Sequence, residues 1–114
     1  MSVTITMPAP PSVNTCFRNV TGKGRVRTQR YNTWARAAGN EVMAQMPRYT
    51  PGEVLLDITI KRRRKTQDLD NMLKPILDLL VNMAVMDDDK NVGEIRCRWG
   101  DVPGAVVEIS PLSK

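Results

Sequence analysis

A chain of 114 residues is long enough for one domain and too short for two catalytic domains. Its 17 lysines and arginines against 12 aspartates and glutamates give a net charge of +5, which favours a polyanionic partner. The chain has no histidine, so Ser-His-Asp and Cys-His catalysis, histidine-ligated zinc sites and every imidazole general base are excluded. Any catalysis must depend on carboxylates, lysine or metal-bound water.

The N-terminal half predicts a strand, a loop, a basic segment and a helix. Apolar residues alternate with threonines over residues 3–7 and predict a short half-buried strand. The proline-rich residues 8–14 can form neither a helix nor a central strand. Glycines and arginines over residues 18–30 predict a basic hairpin or loop, and apolar residues at helical spacing predict a first helix over residues 32–46.

The C-terminal half predicts further strands and a second helix. Alternation over residues 54–60 predicts a strand, which the basic run Lys61–Lys65 continues or caps. A helix is predicted over about residues 70–84, followed by an acidic turn at 87–90. The last predicted strands are residues 92–99 and 105–110. The order β-α-β-α-β-β indicates one α+β or small α/β domain over residues 1–114.

The two cysteines, Cys16 and Cys97, are too few for a disulfide scaffold and do not form a C-x-x-C pair, which favours a reducing compartment. The N-terminal sequence has no basic segment followed by an apolar one, and no apolar run approaches the roughly 20 residues that span a bilayer. We therefore expect an unexported, cytoplasmic protein with no membrane partner.

Charge is unevenly distributed along the sequence. Residues 1–65 contain 12 basic and 3 acidic side chains, whereas residues 66–95 contain 2 basic and 7 acidic ones. An acidic patch would repel the phosphates of a nucleic acid unless a cation were bound in it. The distribution therefore favours a metal site within a basic, phosphate-binding surface.

The second predicted helix carries its polar residues on one side. Pro75 removes a helical N–H, which favours a helix start near Leu73 rather than further upstream. At 100° per residue five polar residues share a wedge of about 120°. These are Asp70, Asn71, Lys74, Asp78 and Asn82.

Asp68 and Asp70 would point to the same side of an extended segment, beside Lys74. Together with one of the three aspartates at residues 87–89 they could hold Mg²⁺, which prefers carboxylate and water oxygens. Such an ion generates hydroxide and polarises a phosphodiester without histidine, and Lys74 could donate to the developing negative charge.

Each feature also has an ordinary structural explanation. Asp70 and Lys74 could form a surface ion pair, and the aspartates at 87–89 could be a solvated turn. The run Lys61–Lys65 could protect a sheet edge. The occurrence of all three features within 30 residues favours a catalytic site.

These motifs resemble those of the RusA family of Holliday junction resolvases. The matching segments are R-R-R-K-T-Q-D-L-D-N-M-L-K-P-I-L-D at residues 62–78 and D-D-D-K-N-V at residues 87–92, with supporting similarity in P-P-S-V-N at residues 10–14 and in chain length. The resemblance implies a mixed sheet flanked by two helices, hence an α+β fold. It also implies a homodimeric endonuclease that requires Mg²⁺, with Mn²⁺ able to substitute, and that cuts four-way DNA junctions symmetrically.

The resemblance also implies roles for individual residues. Asp68 and Asp70 match the first two catalytic aspartates, Lys74 the catalytic lysine and Asp89 the third aspartate, and Asp88 matches the adjacent acidic position. The metal ligands would then be Asp68, Asp70, Asp88 and Asp89. Thr66-Gln67 stands where a relative can carry arginine, which affects a local DNA contact and not the metal site.

We expect basic side chains from two segments to bind DNA phosphates. They are Arg25, Arg27, Arg30, Lys61, Arg62, Arg63, Arg64 and Lys65. Two alternatives remain: a flap or general branched-DNA nuclease, distinguished by mapping its products, and a catalytically silent DNA-binding protein. A silent protein would be expected to have lost a carboxylate or the lysine, and this sequence retains all of them.

Overall fold

A four-stranded mixed sheet forms the centre of the computed structural model, which describes residues 2–112. In the order β1-β6-β4-β5, its strands are β1 (Val3–Met7), β6 (Ala105–Pro111), β4 (Val54–Ile60) and β5 (Val92–Trp99). Strand β4 pairs antiparallel with β6 and parallel with β5, and β1 pairs antiparallel with β6. The remaining elements are the hairpin strands β2 (Phe17–Val20) and β3 (Gly24–Arg27) and the helices α1 (Gln29–Gln45) and α2 (Leu73–Asn82).

Strand β4 lies between β6 and β5, and every second side chain of β4 is apolar and buried. Leu56 and Ile58 are fully buried, whereas Asp57 and Thr59, on the opposite face, are half-buried. The apolar faces of α1 and α2 join the buried face of the sheet in one continuous core. Both helices therefore pack against one side of the sheet, as expected for an α+β domain whose strand pairs are mostly antiparallel.

The α+β class, the mixed sheet and the two helices agree with the sequence prediction. The strands predicted at residues 3–7, 54–60 and 92–99 are confirmed, and the last strand extends one residue beyond its predicted end, to Pro111. The predicted order omits β2 and β3 because the hairpin shows no clear apolar alternation. Its turn contains Gly22 and Gly24, both with positive φ. Of the predicted domain 1–114, residues 1, 113 and 114 lie outside the described range.

Helix α1 begins three residues earlier than the predicted 32–46. Thr28 Oγ1 accepts a hydrogen bond from the backbone N–H of Tyr31 at 3.2 Å and so caps the helix at Gln29. The helix ends at Gln45 because Met46 adopts a left-handed conformation with φ of 48°, ahead of Pro47.

The predicted helix over 70–84 is wrong at both ends. A 3₁₀ turn, Leu69–Met72, precedes α2, so the wheel positions of residues 70 and 71 do not apply. Pro75 is the third residue of α2, in the first turn, where a helix N–H has no intrahelical partner. The start at Leu73 confirms the expectation from this proline. At the other end, Ala84 has φ of 58° and lies beyond the helix.

The connection from β4 to its parallel neighbour β5, residues 61–91, contains all the residues that are predicted to be catalytic. Strand β4 ends at Ile60, so the basic run Lys61–Lys65 follows the strand rather than continuing it. The turn Leu69–Met72 packs against β5 and against the turn Val13–Thr15 of the proline-rich segment. No helix within residues 2–112 is long and apolar enough to cross a membrane.

Candidate active site

Asp68 and Asp70 lie on either side of Leu69 at the 3₁₀ turn, and both side chains are exposed. Asp68 is extended, with φ −96° and ψ 130°, and its carboxylate does not cap the turn. Asp70 lies within the turn, so the expectation that residues 68–70 are extended holds only for Asp68. The side-chain amide of Asn71 donates a long hydrogen bond of 3.5 Å to Asp68 Oδ2.

Lys74 lies in the first turn of α2 and joins two parts of the connection. Its Nζ is 3.0 Å from Asp78 Oδ1 and 3.8 Å from Asp89 Oδ2. The hydrogen bond and charge of Asp78, and more weakly Asp89, raise the pKa of Lys74 above its usual value. The alternative of an Asp70–Lys74 ion pair does not occur among the described residues.

The three consecutive aspartates have different environments. Asp87 accepts a hydrogen bond from the hydroxyl of Tyr49. Asp88 Oδ1 accepts from the backbone N–H of Lys90 at 3.1 Å and caps the 3₁₀ turn at residues 89–91; this hydrogen bond is the main reason that its pKa is lowered. Asp89 is the one whose carboxylate faces Lys74.

Asp78 connects Lys74 to the core. Its Oδ2 accepts a hydrogen bond from the hydroxyl of Tyr31 at 3.0 Å, and Tyr31 is only 4% exposed. Burial, followed by the charge of Asp78, raises the pKa of Tyr31, so the hydroxyl stays protonated as a donor. The ring meets Phe17 edge-on at 5.4 Å, and the Arg27 guanidinium lies 4.2 Å from its centre.

A cleft of about 320 Å³ opens beside this network. Its lining brings Arg27 of the hairpin and Tyr31 of α1 together with Asp78, Asp88 and Asp89. The cleft thus has one cationic, aromatic wall and one acidic wall. A phosphate group at its rim would meet both a cation and carboxylates that could bind it through a metal ion.

The predicted ligands fit Mg²⁺ in their chemistry. They are all exposed or half-exposed carboxylates, and Mg²⁺ is normally held by one or two of these, with water and substrate phosphate supplying the other oxygens. Residues 2–112 contain no group of three or more His, Cys, Asp or Glu side chains close enough to hold one ion by themselves. A bound ion would therefore depend on water or phosphate oxygens.

The predicted DNA-binding cations fall into two groups. Arg25 and Arg27 lie over the rings of Phe17 and Tyr31, each at 4.2 Å, on the hairpin next to the cleft. Arg30 is exposed in the first turn of α1. Of these three cations, Arg27 is the one that lines the cleft.

The basic run is less uniform than its sequence suggests. Arg62 donates to the carbonyls of Arg64 and Lys65 at 3.2 and 2.7 Å and lies 5.2 Å from the ring of Trp99. Arg63 donates to the carbonyl of Ala9 at 3.0 Å. These two guanidiniums hold the loop. The other three cations of the run are exposed and their side chains have no partner in the described part of the chain: Lys61, Arg64 and Lys65.

Sequence reasoning did not select Asp78 or Tyr31 as functional residues. A local signal existed for Asp78, because it is four residues beyond Lys74 on the polar wedge of α2. Tyr31 has no such signal: its contact with Asp78 crosses 47 positions of the chain, and its spacing indicates only a core residue.

Comparison with known proteins identifies the family of this chain. Residues 8–110 match the family model described as endodeoxyribonuclease RusA. The chain is 30% identical, over 105 residues, to the crossover junction endodeoxyribonuclease RusA of Enterobacteria phage HK97, covering 86% of this chain and 83% of the phage protein. The match includes the proline-rich segment, both aspartate segments and the lysine. The chain therefore belongs to the RusA family of endodeoxyribonucleases.

Proposed function

We propose that this endonuclease resolves four-way DNA junctions by symmetric cuts in two strands, with Mg²⁺ as its cofactor and Mn²⁺ as a possible substitute. The observation that carries the proposal is the 3.8 Å approach of Lys74 Nζ to Asp89 Oδ2. This approach brings the lysine of the D-x-D-N-x-x-K segment next to the last of the three aspartates at 87–89. The name of the phage relative supports the choice of junction DNA as substrate.

Of the four proposed ligands Asp68, Asp70, Asp88 and Asp89, one or two carboxylates at a time would hold the metal ion, and water and phosphate oxygens would complete its coordination. When bound, this ion would supply a hydroxide at neutral pH and neutralise charge on the scissile phosphate. Lys74 would donate a hydrogen bond to a phosphate oxygen or to the leaving oxygen, where negative charge grows in the transition state. The absence of histidine is consistent with this division of roles.

The DNA backbone would be bound by two groups of cations, one near the hairpin and one after β4. Arg25, Arg27 and Arg30 lie on the hairpin side, and the run Lys61–Lys65 lies between β4 and the first aspartates. Such phosphate contacts position a substrate without reading its sequence. This suits an enzyme that recognises the shape of a junction.

A homodimer would supply the second active site. A four-way junction has two-fold symmetry, and a pair of identical subunits presents two sites in that relation. The described surface also exposes Met43, Met46, Tyr49 and Ile95, which a partner subunit could cover.

The cysteines Cys16 and Cys97 are free thiols, which is consistent with a reducing, cytoplasmic setting.

Cleavage of defined junctions tests the proposal. Purified protein is incubated with an immobile and a mobile four-way junction, with and without Mg²⁺, and the cut ends are sequenced. Paired cuts at symmetry-related positions that require the metal are expected. Cuts confined to flaps or to single strands would instead favour a general branched-DNA nuclease, and binding without cuts would favour a silent DNA-binding protein.

A further inference from the structure

Asp78 uses its two carboxylate oxygens for two different partners. Oδ2 accepts from the Tyr31 hydroxyl and Oδ1 contacts Lys74 Nζ, each at 3.0 Å. Tyr31 is buried at the junction of α1 with the hairpin, whereas the Lys74 side chain is 51% exposed. The carboxylate therefore connects a rigid group of the core to a mobile group at the surface.

We propose that Asp78, held by Tyr31, is the positioning residue that fixes the ammonium group of Lys74 opposite Asp89. The inference rests on the proposed function, in which Lys74 donates to the reacting phosphate. Asp78 acts through Lys74, and both of its oxygens accept from protein donors, the Tyr31 hydroxyl and the Lys74 ammonium group.

Lys74 needs a positioning residue because a lysine side chain is flexible. Its side chain has four rotatable bonds, and an exposed ion pair in water barely restricts them. The contact with Asp89 at 3.8 Å is too long to be a strong hydrogen bond. A carboxylate whose own orientation is already set by a buried hydroxyl offers Lys74 one fixed acceptor, and this reduces the freedom that the lysine must lose when the substrate is bound.

A second ion pair of the same length provides a matched comparison. Glu94 Oε2 accepts from Arg96 Nε at 3.0 Å on the edge strand β5, with both side chains about half exposed. No third group among the described residues anchors this carboxylate. The Glu94 pair has the distance of the Asp78 pair without its attachment to the core.

The test measures single-turnover cleavage of a saturating four-way junction by Asp78→Asn and by Tyr31→Phe, each alone and in a Lys74→Ala background. We expect Asp78→Asn to slow cleavage by about 10- to 100-fold and Tyr31→Phe by a smaller factor, because a misplaced donor costs rate and not affinity. In the Lys74→Ala background both losses should nearly vanish. Junction affinity, measured with Ca²⁺ in place of Mg²⁺, should not weaken, and Glu94→Gln should cleave within about twofold of the wild type.

Equal losses in the wild-type and Lys74→Ala backgrounds would overturn the inference, because they would assign Asp78 a structural role. A normal rate for Asp78→Asn, with Lys74→Ala slow, would also overturn it while leaving the proposed function intact. A normal rate for Lys74→Ala would instead contradict the role given to Lys74 in the proposed function. If Asp78→Asn does not fold, as judged by circular dichroism, Tyr31→Phe carries the same comparison, since it keeps the ring packing.

Discussion

Lys74 Nζ lies 3.8 Å from Asp89 Oδ2, which joins the start of helix α2 to the turn that precedes strand β5. The two residues belong to separate sequence motifs, and each motif alone has an ordinary structural explanation. Their contact is what makes a common site the better explanation.

Asp68→Asn, Asp70→Asn and Asp89→Asn should each abolish cleavage while junction binding survives or strengthens. Each change removes a proposed metal ligand together with a charge that repels phosphate. Cleavage in Mg²⁺ and gel-shift binding in Ca²⁺ measure the two effects separately. Near-normal cleavage by any of the three would remove that residue from the site.

Asp87→Asn is the matched control for the third aspartate. Asp87 is bound to the Tyr49 hydroxyl and forms no ion pair with Lys74, so its loss should leave the cleavage rate within about twofold. If Asp87→Asn were inactive and Asp89→Asn active, the third ligand would be Asp87 instead.

Lys74→Ala should slow cleavage by about 10²–10³-fold, the scale of losing one preorganised donor to developing charge. The Lys74 side chain is 51% exposed, so its ion pairs are screened by solvent and the melting temperature should change little. A variant that cleaves normally would identify the pairs as ordinary surface contacts.

Binding to DNA should weaken steeply as salt rises from about 50 to 200 mM, because bound cations displace counterions from phosphates. Replacing Arg62, Arg63 and Arg64 together by Ala should lower the slope of log affinity against log salt without moving the cut position. A flat dependence in the wild type would contradict a basic DNA-binding surface.

Within the run Lys61–Lys65, the structure predicts different roles for Arg64 and Arg63 in DNA binding and stability. Arg64→Ala should reduce the salt slope and leave the melting temperature unchanged, since its guanidinium is exposed. Arg63→Ala should lower the melting temperature, because it leaves the carbonyl of Ala9 without this donor. Thermal unfolding of the two variants side by side separates phosphate binding from loop support, and identical behaviour would contradict the division.

A mixed dimer of wild-type and Asp70→Asn subunits should nick one strand of a junction and not cut both. In a two-fold symmetric dimer each subunit would cut one strand, so the Asp70→Asn subunit would leave its strand intact. Sedimentation at the concentrations used for cleavage provides the control, and a monomer that makes paired cuts would contradict the proposal.

The sequence predicts the elements whose stability depends on local patterning. Strand β4 follows from alternation, and the start of α2 at Leu73 follows from Pro75. The start of α1 is missed because it depends on one hydroxyl, that of Thr28. The strand character of the hairpin is missed because its side chains are mostly exposed.

For the site, the sequence identifies the residues of each motif but not their neighbours in space. Asp68, Asp70, Lys74 and Asp89 are found by type and spacing. The attachment of Asp78 to Tyr31 depends on the packing of α1 against α2, which no local pattern contains. Three adjacent aspartates look alike in sequence and are distinguished only by the partners that the fold gives them.

Pro75 has a consequence for which carboxylate Lys74 meets. Because this proline lacks an N–H, the α-helix cannot extend back through Asn71, and Asp70 stays in the 3₁₀ turn. In a continuous helix Asp70 and Lys74 would be neighbours one turn apart, with the acidic residue on the N-terminal side, an arrangement that favours pairing. Asp70 would then compete with Asp78 for the same ammonium group. The proline thus prevents Asp70 from pairing with Lys74. This leaves the Asp70 carboxylate free for a ligand and the Asp78 carboxylate free to bind the lysine.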